Sequence, residues 1–416
     1  MARPIRVTSS FPHFLPPAPP VSHAAEYHDD IIYPNTVAFI VVHLMPFAAI
    51  WTGVTATSVA LALGLYVVRM FGVTAGYHRY FSHRSFKTSR VGQFLLAVLA
   101  MSSAQKSVLW WAALHRHHHR HSDQEEDVHS PLHRGFMYSH VLWIFDKKHG
   151  ETRLEEIPDL AKYPELRFLD RFQLLPAILL AVACYMIDGW SGLFIGFFGG
   201  TVLLYHGTFF INSLAHVHGS QRYVTGDTSR NNWWLAVITL GEGWHNNHHA
   251  YQRSTRQGFR WYEFDPTYYA LKAMSWVGLV WDLGEPPKEV VRNERKVGTA
   301  VLERVARQLA EQVAATRADA SETLLHARQQ FDARPKVIEL RAKIVAGQAR
   351  AEDAWHELQL QLPHLPALPS VVELRERLLQ AYADSPSTDE IAARARQLLA
   401  ERFSAQVFPE LAPQAS

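Results

Sequence analysis

A single cysteine, Cys184, stands in the whole chain, inside an apolar run. That scarcity excludes a disulfide framework and any thiolate-based metal site, and leaves packing as the ordinary role for Cys184. Excess charge is missing as well. Lys and Arg total 41 and Asp and Glu 39, so net charge points to no nucleic-acid partner. Residues 1–34 contain no apolar run of the kind a secretory signal needs. They hold Pro4, Pro12, Pro16, Pro17, Pro19, Pro20 and Pro34 and read as a disordered, proline-rich arm.

What the chain has in abundance is histidine, 24 in all. Three clusters stand out: His78-Arg79-Tyr80-Phe81-Ser82-His83, His115-Arg116-His117-His118-His119 and His245-Asn246-Asn247-His248-His249. Each follows or neighbours a long apolar stretch. Neutral imidazole is the commonest protein metal ligand and suits iron, copper, nickel and zinc. A membrane enzyme holding metal at the bilayer surface accounts for both features.

The apolar runs fall at about 37–51, 54–71, 174–187 and 192–211. A helical crossing takes ~20 residues, so the first and third runs need their flanks. Thr52-Gly53 and Asp188-Gly189 join the runs into two tight hairpins. Each hairpin returns the chain to its starting side, which puts all three clusters on one face with the N-terminal arm. The loop from Arg79 to Arg171 is rich in Arg and Lys while the hairpin turns have none, so that face is expected to be cytoplasmic. Val91–Ala113 is a fifth apolar candidate, but it carries Gln93, Ser102, Ser103, Gln105 and Lys106. An odd number of crossings would split the clusters, so this stretch is expected at the interface or re-entrant. The expected fold is an all-α membrane protein: four transmembrane helices in two hairpins beneath a cytosolic helical cap, within a domain at 35–284. His43 lies inside a run, where an ionisable group is a functional suspect, although a neutral His bonded to a neighbouring helix is the plainer reading.

His115, His118 and His119 stand at i, i+3 and i+4, and His245, His248 and His249 repeat that spacing, which places each triplet on one helical face. His78 and His83 are five apart, about 140° around an α-helix, so they either meet at a frayed helix end or serve different ions. Asn212 and His216, four apart, could add another edge. One tetrahedral zinc would leave most of these idle, whereas two ions would use them all, and an oxygen-activating di-iron centre fits the number. Surface or hydrogen-bonding roles are expected for His117, His121, His133, His140, His149, His206 and His218.

The strings Gly72-Val73-Thr74-Ala75-Gly76-Tyr77-His78-Arg79, Ser82-His83-Arg84-Ser85-Phe86-Lys87, Arg134-Gly135-Phe136 with Ser139-His140-Val141, Asn212-Ser213 with Ala215-His216, and Gly241-Glu242-Gly243-Trp244-His245-Asn246 join these clusters in one order. With them the sequence resembles the membrane fatty acyl desaturases, most closely the acyl-CoA delta-9 (stearoyl-CoA) type, over about 35–284. The resemblance implies a four-span, mushroom-shaped fold whose cap holds two irons. It implies the ligands His78, His83, His115, His118, His119, His216, His245, His248 and His249, with Asn212 holding a metal-linked water. Asp127 and His129 match an Asp-Pro-His-type stretch in which Val128 replaces the proline. Asp127 is therefore expected either to orient a ligand or to be a solvated loop carboxylate. Trp110, Trp111 and Trp261 are expected to line the path of the acyl chain or to sit at the membrane interface. Lys147 and Lys148 would meet CoA phosphates or be ordinary positive-inside residues. Ala62, about four helical turns before His78, is expected near the far end of the acyl tunnel. Ala60 and Gly64 beside it have the spacing of a helix-packing seam.

The implied reaction uses dioxygen and two electrons to place a cis double bond in a saturated long-chain acyl-CoA or acyl-lipid. No His-Pro-Gly-Gly string marks a fused cytochrome b5 haem. Electrons are therefore expected from a separate ferredoxin, rubredoxin or cytochrome b5 type donor with its NAD(P)H reductase. A related di-iron hydroxylase of alkane, sterol or lipid is the nearest rival, and a non-catalytic metal transporter or store is a more distant one. The segment 285–416, after Pro286-Pro287, reads as a loose helical extension of unknown role. Val301, Val305, Leu309 and Val313 form its narrow stripe, with further helical stretches about 335–360, 371–383 and 388–403.

Overall fold

The computed structural model describes residues 33–316, 335–345, 350–361 and 367–407. The expected arm at 1–34 lies outside these except for its last two residues. The first apolar run forms α1, Tyr33–Leu44, which continues through a tighter turn at Met45–Ala48 to Thr52. Gly53 then takes φ +79°, a left-handed value that glycine adopts without a Cβ clash. Thr55 caps the return helix α2, Ala56–Phe71, by accepting from the Ser58 N–H at 2.9 Å. Beyond Phe71 the same helix runs on through Gly72–Ser82 in wider, π-type winding. Backbone bonds there reach back five residues, as from the His83 N–H to the His78 carbonyl at 3.2 Å. A Cβ at Gly72 would stand 2.9 Å from Leu99 Cγ, so α3, Arg90–Met101, can approach this backbone closely. Ser107 caps α4, Val108–His121, which carries the second cluster.

The second hairpin is α5, Leu175–Ser191, then π-wound Gly192–Gly199, then α6, Gly200–Asn212. The chain reverses at Asp188 (φ −142°) and Gly189 (φ +54°) inside what is otherwise continuous helix. The tips of the two hairpins are tied together. Thr55 Oγ1 donates to Asp188 Oδ2 and the Thr55 N–H to Ser191 Oγ at 3.3 Å. Two helices, Ala56–Ser82 and Leu175–Val217, are long and apolar enough to cross a membrane, and the second includes this reversal. The apolar helices Thr36–Thr52 and Arg90–Met101 are shorter. The cap is completed by α7, Trp233–Ile238, α8, His245–Ala250, and α9, Pro266–Trp276, with one small ladder pairing Lys87–Thr88 with Val280–Trp281.

The seam between the hairpins corrects one expectation. Ala62 is only 6 % exposed, and a Cβ added to Gly200 would lie 3.1 Å from its carbonyl oxygen. Ala62 thus faces a glycine of the neighbouring helix and lines neither cavity described below. Ala60 and Gly64, which had the spacing of a seam, face outward. About two turns beyond Ala62, Arg69 is buried, donating from Nη1 to Thr201 Oγ1 at 2.7 Å and from Nε to the Leu65 carbonyl at 3.2 Å. Cys184 packs in the apolar cluster of Ala177 and Phe197.

The C-terminal segment departs from a loose appendage. Its helices α10 (Thr299–Ala315), α11 (Pro335–Val345), α12 (Ala351–Gln361), α13 (Val371–Ala381) and α14 (Thr388–Val407) share one core. Val305, Leu309 and Val313 from the expected stripe meet Trp355, Leu374, Ile391 and Phe403 there. The stripe looked narrow because small residues, Ala306, Ala310, Ala392 and Ala395, supply the close contacts beside it.

Candidate metal centre

The π winding resolves the spacing of the first cluster. Residues five apart diverge on an α-helix, but i→i+5 winding brings His78 and His83 together. Their rings stand 4.8 Å apart. Five imidazoles, from His78, His83, His115, His119 and His248, offer nitrogens within 4.8 Å of one another. Their Nε2 atoms face inward: His83 to His115 is 2.9 Å, His115 to His119 3.0 Å, His119 to His248 2.9 Å and His248 to His78 3.0 Å.

A second set of four comprises His118, His216, His245 and His249. It adjoins the first, with the His119 and His249 rings 4.5 Å apart. Each i, i+3, i+4 triplet is therefore divided between the sets. Successive helical residues diverge by about 100°, so His118 and His119, like His248 and His249, turn to opposite sides of the shared face. His117 belongs to neither set, and its Nε2 lies 3.0 Å from the Glu126 carbonyl. His43 bonds to a neighbouring helix, its Nε2 3.2 Å from that of His206.

A surrounding layer fixes these rings. Asp127 Oδ1 lies 2.7 Å from His118 Nδ1, and Asp227 Oδ2 2.7 Å from His249 Nδ1. His216 Nδ1 meets Thr228 Oγ1 at 3.2 Å, with Asp123 Oδ2 at 3.7 Å. His78 Nδ1 meets Glu242 and the Gln257 side chain. Acceptors on Nδ1 select the tautomer whose Nε2 lone pair points inward. His118 Nε2 and His249 Nε2 are buried with no partner. Inward-facing, unpartnered nitrogens held from behind by carboxylates are the donor set a transition metal takes, so these residues fit the two-ion expectation.

Electrostatics favour neutral ligands. Burial, reinforced by neighbouring imidazoles, holds His83, His115, His119, His245 and His248 well below the ordinary histidine range. His216 moves the other way. Burial opposes its charge, but Asp123 outweighs burial and raises it, while the same contact brings Asp123 down to about 2. Glu242 is itself buried and is held down by His78 and Arg79, whose guanidinium bridges Glu242 at 3.1 Å and Asp265 at 3.0 Å.

A cavity of about 470 Å³ ends against the imidazole sets. His115, His129 and Asn212 stand at that end, and Phe39, Val42, Phe145 and Phe209 line its apolar reach. A smaller one of about 30 Å³ lies between Trp111, Asn212 and His78, His115, His118 and His245. Trp110 and Trp111 line the large cavity, and Trp111 stacks on His115 with centroids 4.7 Å apart. Trp261 does not reach it. At 86 % exposure it stands on the outside of the cap. Lys148 pairs with Asp146 at 3.2 Å. Asp123, Asp227 and Gln257 carried no separate sequence signal and reach their histidines through long-range contacts.

A family model described as fatty acid desaturase matches residues 36–277. Curated relatives agree. An acyl-CoA 5-desaturase of Anemone leveillei is 39 % identical over 230 residues, 54 % of this chain and 71 % of its own. Delta-9 acyl-lipid desaturase 2 of Arabidopsis thaliana is 37 % identical over 246 residues, 58 % of this chain and 78 % of its own. The sn-1 stearoyl-lipid 9-desaturase of Anabaena variabilis is 35 % identical over 248 residues, 59 % and 91 % of the two chains. The chain belongs to the fatty acid desaturase family. It is an oxidoreductase of the desaturase class.

Proposed function

We propose that the chain inserts a cis double bond, at the delta-9 position, into a saturated long-chain acyl group carried on CoA or on a lipid. Two irons would be held by the five-imidazole and four-imidazole sets, with Asn212 on a metal-linked water. When bound, the irons supply activation of dioxygen and removal of hydrogen from two adjacent methylenes. The observation that carries this reading is the apolar cavity ending at His115 and Asn212.

The protein's own work is positional. Apolar walls at Phe39, Val42, Phe145 and Phe209 hold a chain without polar landmarks. Trp111 stacks between Tyr77 and His115 and so fixes the wall nearest the ligands. Gln105 donates to Thr208 Oγ1 at 3.1 Å on the cavity wall, which pins a polar pair beside the chain. A dry, fixed site of this kind aligns one C–H pair and keeps water from the oxidising centre. Two acyl-lipid relatives named above act at position 9, which supports that position here. The two hairpins tied at their tips support a reading of four crossings that leaves the histidine clusters on one side, and the Arg- and Lys-rich loop from Arg79 to Arg171 supports that side being cytoplasmic.

The test supplies iron-loaded protein with dioxygen, a ferredoxin-, rubredoxin- or cytochrome b5-type donor with its reductase, and saturated acyl-CoA or glycerolipid in parallel. Mass spectrometry should find a mono-unsaturated product whose double bond starts at the ninth carbon, and none when the donor is omitted. Hydroxylated product would favour the hydroxylase reading, and bound metal without any turnover the storage reading.

A further inference from the structure

We propose that the C-terminal helical bundle is a brace for the second imidazole set. The proposal rests on the reading that both sets hold metal. The observations concern where the bundle touches the cap. Val224 of the cap is buried in the bundle's core beside Val305 and Leu309. Gly226, two residues on, takes φ +80° and lies directly under α10. A Cβ there would stand 3.4 Å from both Val301 Cγ1 and Arg304 Cδ. Gln308 Nε2 reaches the Gly226 carbonyl and Arg304 Nη1 the Ser122 carbonyl, each at 3.5 Å.

These contact points immediately precede the carboxylates behind the second set. Asp227 follows Gly226. Its Oδ1 accepts from Thr225 Oγ1 at 2.7 Å and the Ser229 N–H at 3.1 Å, which leaves Oδ2 for His249 Nδ1. Asp123 follows Ser122. Its Oδ2 accepts from Thr228 N–H at 2.6 Å and Thr228 Oγ1 at 2.7 Å, and Thr228 in turn meets His216. The bundle thus presses on two adjoining pieces of backbone, and each carries one carboxylate that sets the angle of one ligand. The first set is backed differently. Glu242 is held by Arg79, and Gln257 donates its backbone N–H to Asp265 at 2.7 Å. Both supports are cap residues.

The geometry gives a selective consequence. Loosening the dock should weaken one ion of the two. Arg304→Glu places a carboxylate against the Ser122 and Gly226 carbonyl oxygens, and Val301→Ala removes apolar contact without altering charge. Losing the support behind a ligand weakens metal binding by about 10–100-fold. Full-length protein would be loaded with ferrous iron without oxygen, and chelator competition followed by elemental analysis would count ions retained per chain. Wild type should release both ions at high chelator, whereas Arg304→Glu should release one at a concentration at least about tenfold lower and keep the other as wild type does. Val301→Ala should shift the same ion in the same direction by less, and remains a test if the charged variant does not fold. In a background carrying both Asp123→Asn and Asp227→Asn, Arg304→Glu should add little, because the dock acts through the two pieces of backbone that carry these carboxylates. Equal retention of both ions in the two dock variants, or equal weakening of both, would overturn the brace. A wild-type chain holding fewer than two ions would remove the metal reading beneath it, a result distinguishable because it needs no variant.

Discussion

The two imidazole sets share α4 and α8 and are supported in different ways. The first takes His78 and His83 from one π-wound helix, His115 and His119 from α4 and His248 from α8, and its backing residue Glu242 is clasped by a buried arginine. The second takes one ligand from α4, two from α8 and His216 from the short helix after α6, and leans on three carboxylates, Asp123, Asp127 and Asp227. Division of labour between the sets therefore lies in the surrounding layer. In the first set burial holds His83, His115, His119 and His248 neutral to well below the ordinary histidine range. Four rings backed by three carboxylates make a site in which His216 is raised by Asp123 and which is more dependent on the loops that carry those carboxylates.

Removing a ring should have the largest effect, and a similar one on either side. His248→Ala from the first set and His118→Ala from the second should each lower desaturation more than about 100-fold while the protein still inserts in membranes, since losing a ligand exceeds losing its support. His117→Ala should change turnover little. An equally severe loss in His117→Ala would mean that the assignment of α4 faces is wrong.

Removing a carboxylate should separate the sets. Asp227→Asn is expected to weaken one ion by about 10–100-fold and Glu242→Gln the other. Competition with a chelator reads both, and the double variant should show the two losses together. If both single variants weakened the same ion, the two sets would not be independent sites.

Acidification should distinguish them more gently. A ligand must be neutral to bind metal, so protons compete where the metal-free imidazole has the higher pKa. His216 is raised by Asp123, whereas His83, His115, His119 and His248 are depressed by burial. As pH falls, His216 takes its proton first, above the ordinary histidine range near 6.5, and the second set loses affinity there. His83, His115, His119 and His248 should stay neutral until well below that range, so the first set should outlast the second. Metal-binding titrations at successive pH values check the order, and simultaneous loss, or earlier loss from the first set, would contradict it. Asp123→Asn should remove the early step.

The smallest effect concerns the acyl chain, not the metals. Ala62→Tyr, in the seam against Gly200, should lower stability by roughly 1–3 kcal/mol through overpacking. The chain-length profile of products should stay unchanged, as mass spectrometry of a competition among saturated chains would show. A shift toward shorter chains would restore Ala62 to the tunnel.

How much could be read beforehand varies with the kind of interaction. All nine histidines were legible because they crowd at fixed spacings beside apolar runs. Their partition between two centres was not, because i, i+3, i+4 spacing says which face a residue is on and not which neighbour it meets. The π winding of Gly72–Ser82 has no sequence pattern of its own, so His78 and His83 stayed ambiguous. Asp127 was half legible, offered by its match to an Asp-Pro-His-type stretch as either a ligand-orienting or a solvated carboxylate, whereas Asp227, equally placed against His249, had no such signal. The seam was misread by two residues, since Ala60, Ala62 and Gly64 are all small and only packing against Gly200 decides among them. The core of α10–α14 was hidden because its alanines count as weakly apolar in a pattern yet permit the closest helix contacts.

The central claim is that two adjoining imidazole sets each hold an iron and that desaturation needs both. The measurement that tests it most directly is the iron content of purified chain followed through a loading series, with product formed by the same samples. Two irons per chain at saturation, with activity rising only as the second is filled, is the predicted result. Full activity at one iron per chain, or saturation at one, would contradict it.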